Sequence, residues 1–220
     1  MKEKLFEMHV HTSEVSTCAV LKAEEVMKKY SLAGYNGLVL TDHMNQRTFK
    51  DLSLTDWHDL VDYYLRGYRI MKSIKIPDFT VLLGMEITFN DYLNDYLVYG
   101  LEEDFLYNNS NLMEIDIREF RKLADKNNLM IFQAHPFRVD TVITEPYLLD
   151  GIEVYNGNSS HNSNNDIADL WAEKYGLRKI SGSDFHHFWG MAPGGVKFED
   201  EIKNNNDLIQ ALKHNRFKLK

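Results

Sequence analysis

Cysteine is almost absent from this chain of 220 residues: Cys18 is the only one, so no disulfide can form within it. A lone thiol fits a reducing compartment, and a cytoplasmic location is the expectation. No apolar run approaches the roughly 18 residues of a membrane-spanning helix, so no helical span and no membrane partner are expected. The opening Met-Lys-Glu-Lys runs straight into an alternating apolar pattern, which leaves no room for a signal peptide. Pro- or Ser-rich linkers, internal repeats and tails are also missing, so a single domain over 1–220 is the simplest reading. Basic residues are in the minority, with 25 Lys and Arg against 33 Asp and Glu and a net charge of −8. That balance makes nucleic acid an unlikely partner. Divalent cations bound in a carboxylate-lined cleft would reverse the local sign.

What the chain does have is a regular alternation of short apolar runs and amphipathic stretches, the pattern of βα units. Leu5 to His11 reads as a first strand. Ala23, Val26, Met27 and Tyr30 follow at helical spacing, with Gly34 placed to end the helix. Gly37 to Thr41 is an expected second strand. Trp57, Leu60, Val61, Tyr64, Leu65, Tyr68 and Met71 form one long apolar helical stripe, read as core packing. Further strands are expected at 79–89, 96–99, 129–133, 151–155 and 178–183. Helices are expected around 117–124, at 167–175 closed by Gly176, and around 208–212. The Asn- and Ser-rich stretch 156–165 has the length of a βα loop on a functional face.

Histidines and acids gather at the ends of these strands. His9 and His11 lie two residues apart, so on a strand both would point the same way with backbones about 6.6 Å apart. Two such imidazoles could close on one ion at ~2.0–2.1 Å per bond. They could equally be polar residues at a strand mouth. Asp184 and His186 repeat the spacing after Gly182, as a ligand pair or as a hydrogen bond within a loop. Thr41-Asp42-His43 and Gln133-Ala134-His135-Pro136 each place a histidine where an apolar run stops, as barrel enzymes place catalytic groups. Glu86 interrupts an otherwise apolar strand, and an unpaired buried carboxylate there needs a cation or strong donors. Glu153 poses the same question, and partnership with a ligating histidine answers it.

The motifs EMHVHT (7–12), LTDH (40–43), GMEIT (84–88), AHPFR (134–138), GIEVYN (151–156) and GSDFH (182–186) occur in this order. Together they resemble the PHP family, named for polymerase and histidinol phosphatase, and GGVKF at 194–198 resembles its usual ending. The resemblance implies an α/β fold, a distorted seven-stranded (β/α)7 barrel with its metal site at the strand C-termini. It further implies two to three divalent ions, Zn, Mn or Fe. Carried over by motif, His9, His11, Glu86 and Asp184 would hold one ion. Glu86 would bridge to a second with His135, and His43 and His186 would hold a third. Ions so clustered would clamp phosphate oxygens and activate a bound water.

Two places depart from the family pattern. Where members often complete the third ion's site with a His or Asp, this chain offers Glu14, suited to a hard ion, or Cys18, suited to a soft one. Each could instead be structural. Where members often have another histidine after Glu86, this chain has Asn94-Asp95, and Asp95 is the candidate oxygen ligand. Arg138 could fork onto a substrate phosphate, or pair with a nearby acid, and His186 is carried as a catalytic candidate beside it. His187 is expected to pack behind His186. His58, His161 and His214 are expected on polar surface or loop, without a role. The leading functional expectation is a phosphoesterase releasing phosphate from a small phosphorylated metabolite or nucleotide. The alternatives are a proofreading-type nuclease and a degenerate, non-catalytic metal-binding domain.

Overall fold

The computed structural model of the chain describes residues 3–90, 94–186 and 194–220. In chain order its first half runs β1 (Lys4–Glu7), α1 (Ala23–Leu32), β2 (Gly37–Leu40), β3 (His43–Met44), α2 (Gln46–Phe49), α3 (Trp57–Tyr64), α4 (Arg66–Ser73), β4 (Thr80–Leu83) and β5 (Met85–Thr88). The second half runs β6 (Asp95–Tyr99), α5 (Glu103–Asn108), α6 (Ile117–Lys126), β7 (Met130–Gln133), β8 (Gly151–Asn156), α7 (Asn165–Tyr175), β9 (Arg178–Gly182), β10 (Val196–Phe198), α8 (Asn205–Lys213) and β11 (Phe217–Leu219).

The strands form two sheets, of order β11-β10-β1-β2-β4 and β3-β5-β6-β7-β8-β9. The expected α/β class is present, and among the described residues no ladder closes into the continuous (β/α)7 barrel. Two features oppose an all-parallel ring. β6 runs antiparallel to both β5 and β7, and the six residues 89–94 between β5 and β6 are too few for a crossover helix. β10 and β11 add antiparallel strands beside β1. The sheets nevertheless meet where β1 and β9 end, through an isolated parallel bridge between Val10 and Phe185. There the Asp184 amide donates to the His9 carbonyl at 2.8 Å.

Three expected elements are shorter than the sequence pattern implies. The strand expected over 79–89 breaks at Gly84, where the carbonyl leaves the ladder and accepts from the Tyr64 hydroxyl at 3.2 Å. The same hydroxyl donates to the Asp42 carbonyl at 3.0 Å, between β2 and β3. The stripe from Trp57 to Met71 breaks at Leu65, whose ψ of −3° ends α3, and Gly67 then backs onto the Thr12 and Asp42 side chains. The first strand stops at Glu7, so His9 and His11 stand beyond it.

Local sequence accounts for the ends of the later helices. Asp116 accepts from the Glu119 amide at 2.8 Å and Glu119 reaches back to the Asp116 amide, a capping box that starts α6. Gly176 ends α7 with φ +64°, a left-handed position that favours glycine.

The core divides by layer. Phe6, Met8, Leu97, Tyr99, Phe132, Ile180 and Phe198 pack together between the sheets, with Ile209 and Leu212 of α8. A larger cluster seats α3, α6 and α7 on the outer face of the second sheet. A third seats α1 and α4 against β2. Packing on three sides leaves the segments following β1, β2, β7 and β9 to converge at one end. No helix among the described residues is long and apolar enough to cross a membrane.

Candidate metal centre

Glu86, in the middle of β5, is wholly buried and is the hub of the converging side chains. Its Oε1 lies 3.3 Å from His9 Nε2 and 3.2 Å from His135 Nε2. Its Oε2 lies 3.3 Å from His11 Nε2 and 2.8 Å from His43 Nδ1. β3 sets His43 directly beside Glu86 in parallel register. From the other side, Asp184 Oδ1 stands 3.4 Å from His9 Nε2, 3.3 Å from His11 Nε2 and 3.2 Å from His186 Nδ1. His135 and Asp184 are held at φ +28° and φ +49°, conformations that non-glycine residues rarely adopt and that concentrate at functional sites.

Behind this group Glu153 fixes the histidine orientations. His9 Nδ1 donates to Glu153 Oε1 at 2.9 Å, and the His135 amide donates to Oε2 at 2.9 Å. A carboxylate can only accept, so His9 carries its proton on Nδ1 and turns Nε2 toward the centre. Asn156 donates to both Glu153 and Asp184, at 2.9 and 3.1 Å. Gly182 gives this layer its room. A Cβ there would collide with the His9 Cβ and stand 2.9 Å from Glu153 Oε1. Gly182→Ala is therefore expected to cost about 1–3 kcal/mol through overpacking. Thermal unfolding checks this, and an unchanged melting temperature would contradict it.

Electrostatics shows how much the group depends on compensation. Burial opposes the charged form of Glu86, yet the charges of His9 and His43 and the hydrogen bond from His135 hold it well below the usual carboxylate range. Asp184 is depressed in the same way, burial being outweighed chiefly by His9 and His11. Against burial, His9 is raised well above the ordinary histidine value by Glu153, Asp184 and Glu86. His43 is raised chiefly by Glu86. His11 goes the other way, lowered by burial and by the like charges of His43 and His186.

Several buried atoms here have no hydrogen-bond partner among the described residues: His9 Nε2, His11 Nε2, His43 Nδ1 and Glu86 Oε2. Unsatisfied buried polar atoms are costly. Cations held among them would satisfy these atoms. The nitrogen and oxygen donors form three overlapping groups, each within reach of one ion: His9-Glu86-His135, His9-His11-Asp184 and His11-His43-His186. This set suits a divalent metal.

The sequence-derived candidates divide cleanly on this geometry. His9, His11, His43, Glu86, His135, Asp184 and His186 are brought together, with Glu153 behind them. Asp95 reaches the edge, with Oδ2 3.9 Å from His135 Nε2 and 3.3 Å from Arg138 Nη2, and Oδ1 accepts from Thr88 at 2.6 Å. Glu14 is not brought in: its carboxylate accepts from the Ala23 amide at 2.9 Å, at the start of α1. His187 lies outside the described residues. His161, expected on the surface, instead reaches 3.8 Å from Asp184 Oδ2 with a buried Nε2. The one signal for it was its place in the Asn- and Ser-rich loop. Glu7 also went unrecognised, although it is wholly buried and its Oε1 accepts from the Met8, His9 and Ser183 amides.

The centre opens into a cavity of about 570 Å³, whose walls include Cys18, Arg47, Asp95, Arg138, Asn158 and His161. Residues 162–217 match the family model described as PHP-associated. No curated protein matches the sequence. Among solved structures, the chain is similar to a two-domain protein of Bacteroides vulgatus ATCC 8482 containing a predicted PHP-like metal-dependent phosphoesterase. The two are 18% identical with a TM-score of 0.73, over 99% of this chain and 64% of that one. The chain thus spans less than two thirds of that protein. A protein of Bifidobacterium adolescentis ATCC 15703, classed on prediction as a metal-dependent phosphoesterase, is 13% identical with a TM-score of 0.56, covering 94% of this chain and 95% of that one. The lesion-specific endonuclease PfuEndoQ of Pyrococcus furiosus is 14% identical with a TM-score of 0.66, covering 99% and 57%. The PHP-associated segment at 162–217 and the shared fold support the resemblance of the six ordered motifs to the PHP domain family.

Proposed function

We propose that this chain is a metal-dependent phosphoesterase that releases phosphate from a small phosphorylated substrate. The observation that carries the reading is the two-sided Glu86 carboxylate, with one oxygen facing His9 and His135 and the other facing His11 and His43. A carboxylate so placed would bridge neighbouring ions. His9, His11, Glu86 and Asp184 would hold one ion, Glu86 and His135 a second, and His43 and His186 a third. Bound Zn, Mn or Fe supplies Lewis acidity and an activated water to phosphate-ester hydrolysis. The protein's own part is orientation, with Glu153 locking His9 and Asn156 steadying Asp184.

Arg138 supports the substrate assignment. It lines the cavity, and Asp95 holds its guanidinium at 3.3 Å, which leaves other N–H groups to meet phosphate oxygens. Losing a charge-assisted contact costs about 1.5–3 kcal/mol, and sharing with Asp95 favours the low end. Arg138→Ala is therefore expected to lower kcat/KM about tenfold on a phosphomonoester. Wild-type kinetics in that variant would remove the arginine's role alone.

A nuclease is the second reading, favoured by the fold shared with endonuclease Q. That likeness leaves the expectation against nucleic acid without support from the comparisons. The net acidic chain still offers little for a long polyanion, whose binding draws on several Lys and Arg contacts. Phosphate release from small monoesters, measured beside degradation of single-stranded DNA in the metal-loaded protein, decides between the two. Faster cleavage of DNA would overturn the monoester assignment.

A further inference from the structure

A phosphate group alone would fill only part of the cavity above the metal centre. Its volume of about 570 Å³ lies in the range of sites that enclose a whole small molecule. Hydroxyl and amide side chains recur along its walls, among them Asn45, Thr48, Thr88, Thr141, Asn158 and Ser160. Two guanidinium groups stand among them. Arg138 follows β7 and is held by Asp95 at 3.3 Å. Arg47 belongs to α2, on the side of β3, and its side chain has no hydrogen bond or ion pair among the described residues.

That state sets Arg47 apart from every other arginine of the chain. Arg69, Arg118, Arg121, Arg138 and Arg216 each pair with a carboxylate. Arg66 and Arg178 donate to backbone carbonyls. The acids of the cavity wall do not serve Arg47 either. Asp95 is taken by Arg138 and Thr88, Asp184 faces the histidines, and Asp140 makes no ion pair among the described residues. The backbone under Arg47 is nevertheless fixed. The Asn45 side chain accepts from the Thr48 amide at 2.9 Å and from its hydroxyl at 3.0 Å. Phe49 is buried against Tyr63, and His43 and Met44 pair with Glu86 and Ile87 of β5. A short, anchored turn thus presents an uncompensated cation to the cavity, four residues from a metal-facing histidine.

We infer that the substrate carries a second anionic group beside the phosphate that is released, and that Arg47 is the specificity-determining residue that receives it. The group is a carboxylate or a second phosphate, since the planar guanidinium fork fits the paired oxygens of either. The scissile phosphate sits at the metal centre beside Arg138, and the rest of the molecule crosses the cavity toward α2. Hydroxyl and amide walls between the two arginines suit a hydroxylated carbon frame, whose own hydroxyls both donate and accept. The inference rests on the phosphoesterase reading above and adds the class of substrate.

The test uses the whole metal-loaded chain and three six-carbon probes. Fructose 6-phosphate has one phosphate, 6-phosphogluconate adds a carboxylate, and fructose 1,6-bisphosphate adds a second phosphate. Wild type is expected to favour one of the doubly anionic probes over fructose 6-phosphate by at least about tenfold in kcat/KM, chiefly through KM. Which of the two is favoured separates carboxylate from phosphate. Arg47→Ala should shrink that preference at least about tenfold, and Arg47→Lys should restore part of it. A second readout needs no turnover: the favoured probe should slow phenylglyoxal modification of Arg47, followed by peptide mass spectrometry, and fructose 6-phosphate should not. Equal kcat/KM on the three probes would overturn this inference and leave the phosphoesterase reading standing. So would an Arg47→Ala loss of the same size on each, which would place both arginines on one phosphate. No phosphate release from any of the three, nor from p-nitrophenyl phosphate, would overturn the proposed function with it.

Discussion

Glu86→Gln is expected to abolish phosphate release, lowering kcat at least about 10³-fold, because the ions together are worth several kcal/mol of barrier. The change keeps shape and removes charge. Each of the two Glu86 oxygens faces two imidazoles, so an amide there removes an anionic ligand from two adjacent positions at once. It would also turn a donor toward two of the four rings. His135→Ala, by contrast, removes a ligand from the second position alone. Elemental analysis should therefore find a larger metal deficit in Glu86→Gln than in His135→Ala. Equal occupancy in the two variants would contradict the bridging role. Far-ultraviolet circular dichroism shows whether the variant is folded, which matters because the metal-free site would hold one negative charge fewer against its histidines.

The contrast between what was readable and what was not follows the range of the interactions. His9 with His11 and Asp184 with His186 could be found from spacing, because two residues along a chain share a direction when the backbone is extended. Glu86 could be found from its apolar neighbours, and Glu153 from the same argument. The breaks at Gly84 and after Leu40 were not readable, since one hydroxyl from α3, that of Tyr64, takes the carbonyls of both Gly84 and Asp42. The antiparallel β6 followed the same pattern. Periodicity located the strand, while its direction depended on the missing crossover helix. Glu14 stands where the family's further ligand would fall and suits a hard ion, yet the α1 amide at Ala23 takes its carboxylate. His161 failed in the opposite sense. Its place in the Asn- and Ser-rich stretch is the single local signal, and only the folded loop from Asn156 to Asn165 carries it to Asp184.

Glu7 leads to a prediction about stability that spacing could not have suggested. Its side chain is fully buried behind His9, and only Oε1 is well served, by the Met8, His9 and Ser183 amides at 2.9, 2.9 and 2.8 Å. Oε2 has no hydrogen-bond partner among the described residues. Burial pushes the carboxyl up from its ordinary 4.5 to about 7, with the backbone hydrogen bonds only partly offsetting it. Between those two values the folded chain keeps the Glu7 proton while the unfolded chain has already lost it. The folded state then binds more protons, so stability must fall as pH rises through that window, by up to about 3 kcal/mol, and level off above pH 7. Glu7→Gln retains an acceptor for the three amides and cannot ionise. In chelator-treated protein the variant should match wild type near pH 4 and exceed it by up to that amount near pH 8. Urea unfolding of the two proteins across this range measures the difference directly, since every other titrating group is common to both. Parallel stability curves would show that Glu7 is ionised in the fold throughout. Metal loading should shrink the gap, because a cation beside His9 favours the carboxylate form of Glu7 and lowers the cost of its charge.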